Sequence, residues 1–274
     1  MDIGTADRLR QINNDFYRDH AASFSETREH PWQGWHRCLE VLREMNDDKQ
    51  DGDFGFDLNR FSVLDLACGN QRLKSFLKNE LPEAEITYYA VDYCDALIPS
   101  TFEAVANSDT PATSATVVNY QSLDILELLH KRAELGESLA APVCDLSVSF
   151  GFMHHVPLYA HREEVLRSLI RQTRRGGYVI VTLWQFLKDQ VLREKALVTH
   201  ERALQELGLE QLGENDFLLG WKDMPGAYRY CHHFSDDEID RLVAAVAEEA
   251  TVVSRFSADG KSQDLNAYLV LRVD

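Results

Sequence analysis

The residues most suited to chemistry stand where apolar runs end. FSVLDLAC (61–68) runs into Gly69. Glycine lacks a Cβ, so it can take positive φ and leave room for a ligand against the backbone. Asp65 lies near the same strand end, placed to order the turn or to meet a ligand's ammonium group. ITYYAVD (86–92) ends at Asp92. A carboxylate one βα unit after a glycine turn can accept from both hydroxyls of a ribose, as in dinucleotide folds. Asp124 stands before ILELLHKR as an N-cap. SFGFMHHVP (149–157) ends the fourth run with His154 and His155. Either histidine is a candidate general base for a hydroxyl or amine nucleophile. A carboxylate nucleophile needs no base, only a cation to hold it, and Arg28, Arg162 and Arg229 are the candidates. No metal is expected, because no third ligand has suitable spacing from the two histidines. One histidine is expected to pack and the other to face the ligand.

These residues need strands and turns to present them. After Phe61 the pattern alternates: strand, helix QRLKSFLKNEL closed by Pro82, strand ITYYAVD, strand SATVVNY, and strand APVCDLSVSFGF. Helix EEVLRSLIRQTR follows, expected to stop at Gly176 and Gly177, and then strand YVIVTLW. Alternation of this kind specifies a mostly parallel sheet with helices on both faces. The end of the chain departs from it. SDDEIDRLVAAVAEEA, capped by Ser235, is a helix, and TVVSRFS and NAYLVLRV form a hairpin across the turn ADGKSQD. The expected fold is therefore a seven-stranded, mostly parallel sheet ending in an antiparallel hairpin. Ahead of it, residues 1–57 read as two helices with an aromatic loop, FSETREHPWQGW, and an acidic linker. Residues 58–274 form the main domain. An insertion at about 187–225, largely helical, falls near the carboxyl ends of the strands, where ligands bind.

Composition narrows the class. Lys and Arg number 28 against 45 Asp and Glu, a net charge of −17. Such a surface repels polyanions unless a local basic patch compensates. The strongest candidate patch is Arg167, Arg171, Arg174 and Arg175, although a helix end bearing cations against its own dipole explains the same residues. The five cysteines fall at 38, 68, 94, 144 and 231, too scattered for a zinc knuckle or redox pair. Reduced thiols, no spanning segment and no apolar leader point to a cytoplasmic chain with no membrane association.

VLDLACGNQRL (63–73) resembles the first motif of class I S-adenosylmethionine (SAM)-dependent methyltransferases. It departs from that motif at Ala67 and Gln71, where glycines are usual. SFGFMHHVP resembles their fourth motif. The segments FSETREHPW, MHHVPLYAHRE, RRGGYVIVTLW, FLLGWK and YRYCHHFSDDEI occur in the order seen in eukaryotic tRNA wobble-uridine carboxymethyl methyltransferases, from about residue 13 to the end. The resemblance implies SAM as cofactor, bound by Tyr17, Arg28, Asp65, Ala67, Cys68, Gly69, Asn70, Arg72, Asp92, Tyr93, Asp124, Ile125, Phe150, Gly151 and Met153. It gives Asp124 a second reading, as acceptor for the adenine amino group. It places His154, His155 and Arg162 at the reaction, and Trp32, Trp184, Trp221, Arg229 and Tyr230 against the acceptor. It also implies esterification of a tRNA carboxymethyl group and a small activator subunit.

Charge argues the other way on substrate. The insertion carries Glu194, Glu201, Glu206, Glu210, Glu214 and Asp216 against few bases. The expected acceptor is therefore a small molecule such as a carboxylate, with tRNA as the alternative. A non-catalytic SAM-binding or interaction protein is a third reading, encouraged by Gln71. Phe24, Arg28 and Trp32 are expected to close over the cofactor.

Overall fold

The computed structural model describes residues 1–47, 56–98, 116–222 and 224–274. Helices α1 (Ile3–Glu26) and α2 (Gln33–Asp47) precede strand β1 (Arg60–Leu66). Then follow α3 (Arg72–Glu80), β2 (Glu85–Asp92), β3 (Val117–Ser122), α4 (Ile125–His130), α5 (Leu135–Ser138) and β4 (Cys144–Ser149). The chain continues through α6 (Tyr159–Arg171), β5 (Thr173–Trp184), α7 (Gln190–Leu207), β6 (Asp216–Gly220) and β7 (Tyr228–His232). It closes with α8 (Asp236–Ala245), β8 (Ala250–Ala258) and β9 (Asn266–Val273).

Seven strands form one sheet in the order β3-β2-β1-β4-β5-β9-β8. The first five pair in parallel, whereas β9 pairs antiparallel with both β5 and β8. This is the expected fold. Both faces are buried, which is why the strands read as unbroken apolar runs. Leu39, Leu42, Phe76 and Leu77 of α2 and α3 cover one face. Leu126, Val165, Leu169, Ile239 and Leu242 of α4, α6 and α8 cover the other. Each side chain so buried contributes about 1.5–3 kcal/mol. The strand order reverses between β1 and β4, and ligands bind open α/β sheets at such a switch point.

Four features differ from the sequence reading. Helix α1 extends to Glu26 through a kink at His20 (φ −122°, ψ 15°), so the aromatic loop is shorter than expected. Helix α6 ends at Arg171, before the two glycines, which belong to β5. A Cβ on Gly177 would stand 2.6 Å from the Asp145 carbonyl, so the pair serves a close strand approach, not a helix stop. The insertion is only half helical. After α7 it forms a two-stranded sheet, β6–β7, against which α1 packs. Most of the acidic linker and the start of SATVVNY lie outside the described residues. No helix among the described residues is long and apolar enough to cross a membrane.

Candidate cofactor and acceptor site

A cavity of about 340 Å³ opens at the switch point. Its floor is the turn after β1. Gly69 has φ +52°, and a Cβ there would meet nothing within 4 Å, so the turn leaves open space where a ligand would lie. Ala67 (φ 62°) and Gln71 (φ 57°) hold left-handed conformations without being glycine. The departures from the motif are thus chemical, and the backbone path is kept. Asp92 ties two loops together: one oxygen accepts from the Gly69 amide (2.7 Å), the other from the Cys94 amide (2.8 Å). Burial raises it above the usual carboxylate range, while those amides pull it back. Asp65 accepts from the Tyr88 hydroxyl, and burial pushes it up to about 7.

The roof is the amino-terminal segment. Tyr17, Phe24, Arg28 and Trp32 all line the cavity. Two contacts hold the segment after the kink to the turn after β1: Asn70 Nδ2 donates to the Arg28 carbonyl (3.1 Å), and Arg72 Nη1 to the His30 carbonyl (2.8 Å). Arg72 also lies over the rings of Trp32 and Trp35. Trp32 sits so close to Gly151 (φ +77°) that a Cβ there would approach its ring at 3.1 Å.

The side wall carries the charge. Arg229 is 8% exposed, its guanidinium 5.3–5.8 Å from the ring centroids of Trp221, Phe16 and Trp184. Its Nε has no hydrogen-bond partner. Among the described residues no carboxylate pairs with Arg229 or with Arg28. Burial, and then repulsion from Arg229, lowers Arg28. Arg28 and Arg229 thus bring positive charge without a carboxylate partner to a cavity whose floor carries Asp65 and Asp92.

His155 is held on both sides. Its Nδ1 lies 2.8 Å from the Tyr230 carbonyl, which only accepts, so Nδ1 donates and Nε2 accepts from the Tyr17 hydroxyl at 2.7 Å. Burial and then Arg229 lower His155 to about 3, and burial raises Tyr17 to about 12. Burial and then His155 lower His154 well below the ordinary imidazole value. Both histidines line the cavity, contrary to the expected division. Cys231 brings a third soft ligand atom within 4.8 Å of one nitrogen from each, which spacing in the sequence did not suggest. The His155 nitrogens are committed to Tyr17 and Tyr230, and Arg229 stands beside them, so this donor set does not fit a cation.

The other proposed cofactor residues, Ala67, Cys68, Tyr93, Asp124, Ile125 and Phe150, also line the cavity. Four expected site residues do not. Arg162 is buried in an ion pair with Glu238 (2.9 Å) and donates to the Val156 carbonyl, so it anchors α8 and cannot hold an acceptor. Tyr230 points away from the cavity, its hydroxyl on Asp216 (2.6 Å). Trp221 packs behind Arg229 and donates to Ser23 (2.8 Å). Met153 is fully buried in the core. Sequence reasoning missed Asn13, Asn14 and the turn carrying Asp259 and Asn266, all of which line the cavity. Two adjacent asparagines inside an amphipathic helix were the available signal, since asparagine is a poor helix former.

Three of the four arginines of the candidate patch are paired with acids. Arg167 pairs with Glu163 (3.1 Å) and Glu249, Arg171 with Glu164, and Arg174 with Asp145 (2.6 Å).

No family model matches the sequence, and no curated protein matches it. Solved structures do. The complex of DhpI with SAM and HEP superposes with a TM-score of 0.56 at 17% identity, over 96% of this chain and 97% of that one. A SAM-dependent methyltransferase from Clostridium acetobutylicum gives 0.52 at 12% identity, over 95% and 98%. The 1,6-didemethyltoxoflavin N1-methyltransferase of Burkholderia thailandensis, with 1,6-didemethyltoxoflavin and S-adenosylhomocysteine bound, gives 0.52 at 15%, over 95% and 88%. At these identities the likeness is one of fold.

Proposed function

We propose that this chain is a SAM-dependent methyltransferase whose acceptor is a small carboxylate. The observation that carries the reading is a single cavity with a glycine turn and a ribose-competent carboxylate on its floor, and two arginines without counter-ions around it. The fold is shared with enzymes that use this cofactor, one of them acting on a small heterocycle.

Bound SAM supplies an activated methyl group; the chain supplies position, charge and exclusion of water. Asp92 keeps acceptor capacity for ribose hydroxyls beyond the two amides it serves. Asp65 faces the cavity as the partner for an ammonium group. Arg28, on the roof, suits the cofactor's carboxylate, and Arg229, on the side wall, suits the acceptor's. The Tyr17–His155 pair stays neutral, because His155 is lowered and Tyr17 is raised. It is therefore a poor general base, and a nucleophile already ionised at neutral pH fits the site best.

A wobble-uridine enzyme remains the second reading, favoured by the ordered motifs around Arg28, the histidine pair and Tyr230. Against it, three of the four clustered arginines are spent on acids, so free tRNA is expected to bind weakly. A basic activator subunit would change that, so tRNA assays should include candidate partners. The vestigial reading loses its support, because Gln71 keeps the left-handed turn. Five unpaired, buried thiols suit a cytoplasmic location.

Calorimetric titration with SAM tests the reading. The wild type should bind at one site, and Asp92→Ala should lose a charge-assisted pair, about 2 kcal/mol or some thirtyfold in affinity. Absence of binding by the wild type, or an unaffected variant, would overturn the assignment of this cavity.

A further inference from the structure

The carboxylate expected to meet the adenine amino group is already committed. Asp124 Oδ1 accepts from the Glu127 amide (2.9 Å) as the N-cap of α4. Its Oδ2 accepts from Arg10 Nη1 (2.6 Å) and from Asn14 Nδ2 (2.9 Å), both on α1. Arg10 is pinned in turn by Asp7 (2.8 Å).

Asn14 is left with the opposite balance. A carboxylate only accepts, so Asp124 forces the amide nitrogen of Asn14 toward itself and fixes which way the side chain is turned. Among the described residues the Asn14 carbonyl oxygen and second N–H have no partner, and the residue lines the cavity. Its neighbour Asn13 is spent: Oδ1 accepts from the Tyr230 amide (2.7 Å) and Nδ2 donates to the Tyr230 carbonyl (3.2 Å). The nearby wall is apolar, made by Cys94 and Leu97 after β2 and by Leu123 and Ile125 after β3. Such walls suit the faces of a purine.

We infer that Asn14 on the cover helix reads the adenine edge of the cofactor, with Asp124 and Arg10 as positioning residues behind it. An amide offers an acceptor beside a donor, and adenine offers its amino donor beside a ring-nitrogen acceptor, so the two edges match. A lone carboxylate would match only the amino group and would repel the ring nitrogen. The inference rests on the methyltransferase reading and adds that α1 belongs to the cofactor site, so cofactor selectivity depends on how that helix docks.

The test is calorimetry with two probes, S-adenosylhomocysteine and its 6-oxo analogue S-inosylhomocysteine. Wild type should prefer the adenine probe by about tenfold or more, because the analogue reverses the hydrogen-bonding edge. Asn14→Ala should weaken the adenine probe by a similar factor and bring the ratio of the two affinities close to one. Asn14→Ser is the companion if alanine disturbs α1, with the fold of each variant checked by circular dichroism. A folded variant that keeps the wild-type ratio overturns the inference and leaves the methyltransferase reading intact. Wild type that binds neither probe overturns both.

Discussion

Asp65 shows how burial turns an ordinary carboxylate into a sensor of bound charge. It is 3% exposed, and burial pushes it up to about 7, against the opposing hydrogen bond from Tyr88. The sign follows from linkage. With the folded value raised, the native state holds this proton between about pH 4 and 7, and stability falls as pH rises through that window. Pairing with a ligand ammonium requires the ionised form, so cofactor affinity should move the other way. Calorimetry in buffers of different ionisation heat should show affinity rising from pH 5.5 to about 7.5 and then levelling, with proton release below pH 7. A flat profile would remove Asp65 from the ammonium site. The floor of the cavity was legible in the sequence because Asp65, Gly69 and Asp92 depend only on where strands end. Asn14 was not legible, because its partner Asp124 lies 110 residues away and meets it only through the docking of α1.

At the scale of elements, α1 and the β6–β7 hairpin build the upper half of the site together. Leu9 of α1 packs with Leu218, Tyr228 and Tyr230 of the hairpin and with α7. His232 on β7 bridges Asp216 of β6 and Glu238 of α8, at 2.8 Å each, and so fastens the hairpin to the main domain. The sequence announced the insertion but not its strands, because FLLGW and YRYCHH have no alternation of polar and apolar residues. YRYCH is in fact buried at every position, with α1 packed against it. Arg162 was misjudged for a related reason: its partner Glu238 is supplied by α8, an element remote in sequence. Past the kink at His20, the roof is held to the turn after β1 by Asn70 and Arg72. Arg28→Ala should therefore raise the KM for cofactor by about ten- to a hundredfold, the loss expected for a charged hydrogen bond, with little change in kcat. An unchanged KM would assign Arg28 to structure alone.

At the scale of the whole molecule, positive charge without acidic partners is gathered at the cavity of a strongly acidic chain. The chain carries −17 and the cavity is lined by Asp65, Asp92, Asp124 and Asp259, yet among the described residues no carboxylate pairs with Arg28 or Arg229, and the two histidines there stay neutral. A folded chain bears the burial of Arg229 only if something compensates it. Three aromatic faces do so in part, and an anionic acceptor would complete it. The fold could be read from the sequence, because it depends on patterns summed over many residues. The unpaired state of Arg28 and Arg229 could not, since it depends on which arginines find acids in the folded chain and which do not.

Methyl transfer to a small carboxylate would make a methyl ester. The chain should be incubated with SAM labelled in its methyl group, in parallel with a deproteinised low-mass metabolite extract and with tRNA. Label is expected in the low-mass fraction, released as volatile methanol by mild base, and none in tRNA. Label confined to tRNA, or a low-mass product whose label withstands base, would contradict it.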